Sequence, residues 1–326
     1  IRFIKDSQPK AWEKFERVFG AHAKAELYKT MQGDILKYGL IHTLRNGIKN
    51  RGIEIKLCYF APASSLNPEL TEKYHKNIME CTRQFVYSKE VKNSIDMVLS
   101  LNGIPVVAIE LKNQFTGQDV NDSKEQWMTN RNPQEPLFHF DNRILAYFGC
   151  DLYEAILATE LKGEKTYFMP FNQGSHGAGE VGGAGNPQRD DGEYVTSYLW
   201  KNVLRREVLL AILQRFIMRQ TETKISLIVN KHGKEKEVSE TKVKIIFPRY
   251  HQLDVVEKLI HDTETKGAGR NYLIQHSAGS GKSNSIAWLT YRLASLHDKK
   301  NQNIFNGVFV VTDRRVLNRQ LQETIL

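Results

Sequence analysis

Two sets of residues in this 326-residue chain have the types and spacing to do chemistry. The first is Asp96, Glu110 and Lys112, set in the aliphatic stretch SIDMVLSLNGIPVVAIELKNQ at 94–114. An unpaired carboxylate buried in a strand is costly, so two acids and a lysine here need a reason. Metal binding supplies one: carboxylates from adjacent strands offer hard oxygen ligands to Mg²⁺, and Lys112 points to the same face as Glu110. There the lysine would orient or deprotonate a water, or stabilise charge developing on a phosphate. The bland alternative is a buried salt bridge between Lys112 and one of the acids. The second set is HSAGSGKS at 276–283. A glycine loop ending in Lys-Ser at the mouth of a helix holds phosphates on the backbone N–H groups of Gly279, Ser280, Gly281 and Lys282. Lys282 then reaches the β/γ-phosphates of ATP and the Ser283 hydroxyl ligates Mg²⁺. His276 stands where the usual loop has its first Gly, and is read as packing.

These residues need elements to position them. Asn102-Gly103 suits the positive φ values of a tight turn, so 94–114 reads as a hairpin. A strict two-residue turn pairs Leu101 with Ile104 and hence Asp96 with Ile109, which puts the two acids on opposite faces. If both bind one metal, a bulge, a longer loop or a bend must correct the register. After the hairpin, 116–130 is polar and helical in pattern, and Gln126 on it is a candidate to position Lys112 or touch a phosphate. Ahead of the glycine loop, NYLIQ at 271–275 reads as a short buried strand, with a helix at 284–296 after it. IFNGVFVVT at 304–312 reads as the next strand.

The rest of the chain gives scaffold. Residues 1–50 are helical, with Trp12, Phe15, Val18, Phe19, Ile35, Leu36, Leu40, Ile41 and Leu44 as apolar positions. Strands are expected at 52–60, 83–87, 143–152, 153–159 and 165–171, and a short helix at 72–81. The run 174–187 contains a literal G-x-G-x-x-G at Gly177, Gly179 and Gly182. The residues after it are polar and turn-forming rather than helical, so it reads as a mobile surface loop. Residues 198–218 form an amphipathic helix or helix pair. Short strands at 225–230 and 242–247 flank a charged turn, and the domain junction is placed there: 1–240, then 241–326. Pro248 to Gln252 opens a helix whose apolar face is Leu253, Val256, Leu259 and Ile260.

Bulk properties exclude little else. No apolar run is long enough to span a membrane, and the first residues lack a signal-peptide pattern. They also lack an initiator Met, so the natural start is expected to be missing or removed. Cys58, Cys81 and Cys150 are few, odd in number and widely spaced, which fits reduced thiols in a cytoplasm. The net charge of +9 is compatible with a polyanionic partner.

The pattern D-x13-E-x-K after an Asn-Gly turn resembles the PD-(D/E)xK nuclease signature. Together with RYHQ at 249–252, HSAGSGKS and VVTDRRVLNRQ, and with the segments at 159–187 and 197–204, it resembles the R (motor and restriction) subunit of type I restriction–modification enzymes. The resemblance spans nearly the whole chain. It implies an α/β restriction-endonuclease-like domain, a mixed sheet flanked by helices, followed by the start of a RecA-like parallel α/β lobe of a superfamily 2 translocase. It implies ATP-driven pumping of duplex DNA, Mg²⁺-dependent cleavage, and methyltransferase and specificity subunits as partners. Residue by residue, Asp96, Glu110 and Lys112 match the nuclease triad, and Gln252 the glutamine that reads adenine, with Arg249 or Tyr250 flanking the base. Gly279, Gly281, Lys282 and Ser283 match motif I, and Asp313, Arg314 and Gln320 match a segment near the DNA track. The family's Gln-Tyr motif is incomplete, since Asn130 stands where Tyr is usual after Gln126. No acidic DExx box comes after the glycine loop, so this sequence is expected to bind ATP more readily than it hydrolyses it. Another helicase–nuclease fusion and a non-catalytic ATP- and DNA-binding module are the competing readings.

Overall fold

The computed structural model describes residues 1–312 apart from 64–65, 89, 91 and 230–234. Its centre is a six-stranded mixed sheet in the order β3 (Met79–Val86), β4 (Ser94–Leu101), β5 (Ile104–Leu111), β6 (Ala146–Cys150), β7 (Ala155–Ala158) and β8 (Met169–Pro170). Only β5 and β6 run parallel; the other neighbours are antiparallel. One core packs the sheet against the N-terminal helices α1 (Arg2–Ser7), α2 (Pro9–Phe19), α3 (Ala23–Tyr38) and α4 (Leu40–Asn46), and against the helical turns at 199–217. A smaller core around Ile95, Val98, Trp127, Phe138 and Tyr147 packs α6 (Val120–Thr129) against it. Of the expected N-terminal stripe, Trp12, Phe15, Ile35, Leu40, Ile41 and Leu44 are buried, while Val18 and Leu36 are exposed.

The hairpin forms with Asn102 at φ +53° and Gly103 at φ +84°, the left-handed pair that a tight hairpin turn requires. Leu101 faces Ile104 and Ser100 faces Pro105, as expected for a two-residue turn. From there the register slips: Leu99 faces Val107, Val98 faces Ala108 and Met97 faces Ile109, which leaves Val106 as an extra residue. Pro105 has no N–H to give to the ladder, and a bulge beside it is where a strand tolerates that loss. One step on, Asp96 falls level with Glu110.

Several expected elements shift. A two-residue reverse turn separates β1 (Ile48–Asn50) from β2 (Ile53–Ile55), so the strand expected at 52–60 is cut to three residues. Helix α5 (Pro68–His75) starts earlier than 72 because the Asn67 side chain accepts from Leu70 N at 2.9 Å and Pro68 occupies the first turn. The expected helix at 72–81 therefore ends in β3, which begins at Met79. Residues 198–218 break into α7 (Arg206–Ala211) between two wider turns, closed by Leu204 N to Leu199 O and Ile217 N to Ile212 O. The two late strands lengthen to β9 (Met218–Val229) and β10 (Glu235–Ile246), a separate antiparallel ribbon. The glycine-rich run is closed on itself by Gly174 N to Gly185 O at 2.8 Å and Ser175 N to Gly183 O at 3.0 Å.

Residues 271–275 and 304–312 are not strands. Leu273, Phe309 and Val311 are each more than nine-tenths exposed. Apolar alternation makes a strand only where a neighbour accepts its ladder, and among the described residues no strand lies beside either segment. The helices around the glycine loop do form, as α8 (Tyr250–Lys266) and α9 (Lys282–Ala294). Pro248 lies just outside α8, whose cap is Arg249. No helix among the described residues is long and apolar enough to cross a membrane.

Candidate active site and phosphate loop

Asp96 and Glu110 lie where β4 and β5 part, beyond the last ladder pair. Asp96 is half-buried, and its two oxygens are tied separately. Leu111 N donates to Oδ2 at 2.8 Å and Gln84 Nε2 donates to Oδ1 at 3.0 Å. Ser94 Oγ in turn donates to Gln84 Oε1 at 2.8 Å. Residues 81–84 of β3, with Asp96, Met97 and Leu111, line an open cleft of about 800 Å³ over this point.

Glu110 is fully buried. Arg131, just beyond α6 and also buried, donates through Nε at 3.0 Å and Nη2 at 2.5 Å to the same oxygen, Oε1. Nη2 also reaches Ser94 O at 2.9 Å. Glu110 Oε2 has no hydrogen-bond donor among the described residues, and the Asp96 carboxyl is close enough to act on the Glu110 carboxyl. Burial pushes the Glu110 carboxyl up to about 7, against the pull of Arg131 and with some help from the charge of Asp96.

Lys112 forms no ion pair with either acid among the described residues. Its Nζ donates to Gln126 Oε1 at 2.5 Å, and its backbone N donates to Cys150 O at 2.8 Å. Helix α6 brings Gln126 there. Asp119 caps it, its side chain accepting from Asn121 N while Asp122 accepts from Asp119 N. Trp127 Nε1 anchors the helix to Phe148 O on β6 at 3.0 Å. Asn130, in the position of the missing Tyr, is exposed at the helix end.

Asp96 and Glu110 thus act on each other, and Lys112, two residues beyond Glu110, is held by Gln126. Arg131 and Gln84 complete the cluster, and sequence reasoning missed both. A buried acid demands a cation, and the sequence neighbour Lys112 is the obvious one for Glu110; the actual partner lies 21 residues away. Nothing in the sequence marks Gln84.

The donor set suits Mg²⁺: two carboxylates supplying hard oxygens, one of those oxygens buried and unbonded. No cluster of three or more His, Cys, Asp or Glu occurs among the described residues, so waters or substrate oxygens would complete the shell.

At the glycine loop, Gly279 (φ +73°) and Gly281 (φ +80°) take left-handed conformations and Lys282 opens α9. Lys282 Nζ folds back onto His276 O at 3.2 Å and Ser277 O at 2.9 Å. Ser283 is half-buried in the first turn, and the Ser280 hydroxyl is buried without a partner. Gln252 is buried against this loop. Its Nε2 donates to Ser280 O at 3.2 Å and Gly281 O at 3.0 Å, while its Oε1 accepts from Arg249 N at 2.8 Å. A methyl group on Gly281 would strike Gln252 Nε2. His251 shares Ser280 O at 3.0 Å and meets the His276 ring edge to face. Arg249 Nε is buried and unpartnered. Asp313, Arg314 and Gln320 lie outside the described residues.

Comparison with known proteins agrees with this order of sites. Residues 10–167 match the family model of the type I restriction enzyme R protein N terminus, and residues 251–326 match that of the SWI2/SNF2 ATPase. The N-terminal region is therefore of the type I restriction enzyme R-protein kind. Over 299 residues, 90% of the chain, it is 24% identical to a Methanocaldococcus jannaschii protein provisionally named type I restriction enzyme MjaVIIIP endonuclease subunit. The chain spans 24% of that relative's length.

Proposed function

We propose that this chain is the nuclease portion and the first motor portion of an R subunit of a type I restriction–modification enzyme, which moves duplex DNA with ATP and cleaves it with Mg²⁺. The observation that carries the reading is the bulge at Val106, which sets Asp96 level with Glu110 while Glu110 Oε2 stays buried and unbonded. The order of the two family matches along the chain supports it. In this reading residues 1–240 are a PD-(D/E)xK endonuclease domain and 241–326 begin a RecA-like lobe. Methyltransferase and specificity subunits supply the sequence recognition, and the complex works in the cytoplasm.

Asp96 and Glu110 would hold Mg²⁺, which when bound supplies a water activated at neutral pH. Lys112, held by Gln126, donates to the phosphate under attack. Gly279, Ser280, Gly281 and Lys282 would cradle the phosphates of ATP and the Ser283 hydroxyl would hold its Mg²⁺. Gln252 and Arg249 would read the adenine, and Asp313, Arg314 and Gln320 would serve DNA contact.

The test uses the full-length subunit assembled with its methyltransferase and specificity partners. Asp96→Ala abolishes cutting and leaves DNA-stimulated ATP hydrolysis, whereas Lys282→Ala abolishes both. Normal cutting by Lys282→Ala would mean that the motor does not drive the nuclease. The buried Arg131–Glu110 ion pair favours a second reading, a non-catalytic ATP- and DNA-binding module in which the acids are structural. Lys112→Ala separates the two: a nuclease loses cleavage and keeps DNA binding, while a binding module has no cleavage to lose.

A further inference from the structure

Four arginines surround one cavity that the proposed activity does not use. The cavity holds about 570 Å³ and is lined by Arg45 of α4, Arg215 of the turn after α7, Arg219 at the start of β9 and Arg292 near the end of α9. Gln214 and Ser295 add neutral hydrogen-bonding groups, and among the described residues no acid lines it. The acids that balance these cations stand behind them. Asp141 accepts from Arg219 Nε at 2.9 Å, and Glu257 accepts from Arg292 Nη1 at 2.5 Å. Arg45 is fixed in place by Leu213 O and Ile217 O, at 2.9 and 2.7 Å.

Arg215 differs from the other three. Among the described residues it has no hydrogen-bond or ion-pair partner, and Glu257 and Glu264 reach it only through space. Burial, then the neighbouring charge of Arg292, hold its pKa below the usual arginine range, and burial holds that of Arg45 at about 10. Gathered and half-buried cations of this kind are costly unless an anion joins them.

We propose that this cavity is a binding site for an anionic phosphate group, with Arg215 as its central donor. Planar guanidinium forks match phosphate oxygens in pairs, and the volume suits a nucleotide-sized group. The site is not the glycine loop. Arg292 lies ten residues beyond Lys282 on the same helix, about 15 Å along its axis. Free polyphosphate and the DNA backbone present the same chemistry here. The inference does not depend on the nuclease reading.

The test disables the glycine loop with Lys282→Ala and titrates the chain with inorganic pyrophosphate by calorimetry. In parallel, a short DNA duplex is bound across a salt series. Addition of Arg215→Gln is expected to weaken whichever ligand the cavity takes by roughly tenfold or more, and Arg215→Lys, which keeps the charge but loses the fork, to weaken it less. Without ligand, the melting midpoint of Arg215→Gln should be unchanged or higher, because the substitution removes repulsion from Arg292. A salt slope lowered by about one by Arg215→Gln assigns the DNA backbone as the ligand. Loss of pyrophosphate binding at an unchanged slope assigns free polyphosphate. If Arg215→Gln alters neither, the cavity is not an anion site.

Discussion

Arg131 and Glu110 meet in a buried pair in which two guanidinium nitrogens end on a single carboxylate oxygen, Oε1, and Oε2 is left open. A purely structural ion pair would gain most by bonding both oxygens. The one-sided geometry neutralises the buried charge and keeps one hard oxygen for another ligand.

Arg131→Met should therefore cost about 3–5 kcal/mol, because it strands a buried carboxylate. Adding Glu110→Leu should recover most of that loss, since replacing both members with apolar groups removes the uncompensated charge. Urea unfolding of the two single variants and the double variant measures the coupling. Additive losses would mean that the pair is not energetically linked.

The bulged register can be read chemically. Cysteines at 97 and 109, in a Cys81→Ser background, sit directly opposite each other and should oxidise to a disulfide. Cysteines at 97 and 108 should not, because in this register their side chains leave opposite faces of the sheet. The reverse result would restore the strict hairpin and separate Asp96 from Glu110.

The hairpin was legible because its signals are local: an Asn-Gly turn between two aliphatic runs. Counting residues on each side of the turn demands a bulge, a longer loop or a bend, but the count does not choose among them; the bulge falls beside Pro105. Arg131 was not legible, because it closes on Glu110 from 21 residues away and no periodicity ties the two. The strands expected at 271–275 and 304–312 failed for a related reason. A ladder is a property of two segments, and a sequence window describes one.

Among the described residues the glycine-rich run meets helix α8. Lys258 Nζ of α8 donates to Ala178 O at 3.0 Å, while the adjoining Gln173 Nε2 donates to Tyr250 OH at 2.9 Å. Tyr250→Phe removes the second bond and should cost about 1 kcal/mol in unfolding. In the assembled full-length enzyme, shortening 177–183 should reduce DNA cleavage and spare DNA-stimulated ATP hydrolysis. Unchanged cleavage would leave the loop with no part in coupling.

Gln252 offers the sharpest test of the phosphate loop. Both hydrogens of its amide are spent on Ser280 O and Gly281 O, and its oxygen is spent on Arg249 N. An adenine reader needs that amide free, so nucleotide binding must trade these bonds for contacts to the base. In the meantime the glutamine holds the loop proposed to meet the phosphates. Gln252→Ala should thus weaken ATP and tripolyphosphate alike, by about tenfold each if the loop loses one to two kcal/mol of support. Gly281→Ala should do the same, since its methyl group would displace the same amide and occupy a left-handed position that favours glycine. Calorimetry with both ligands decides the matter. A glutamine that only reads the base would weaken ATP and leave tripolyphosphate untouched.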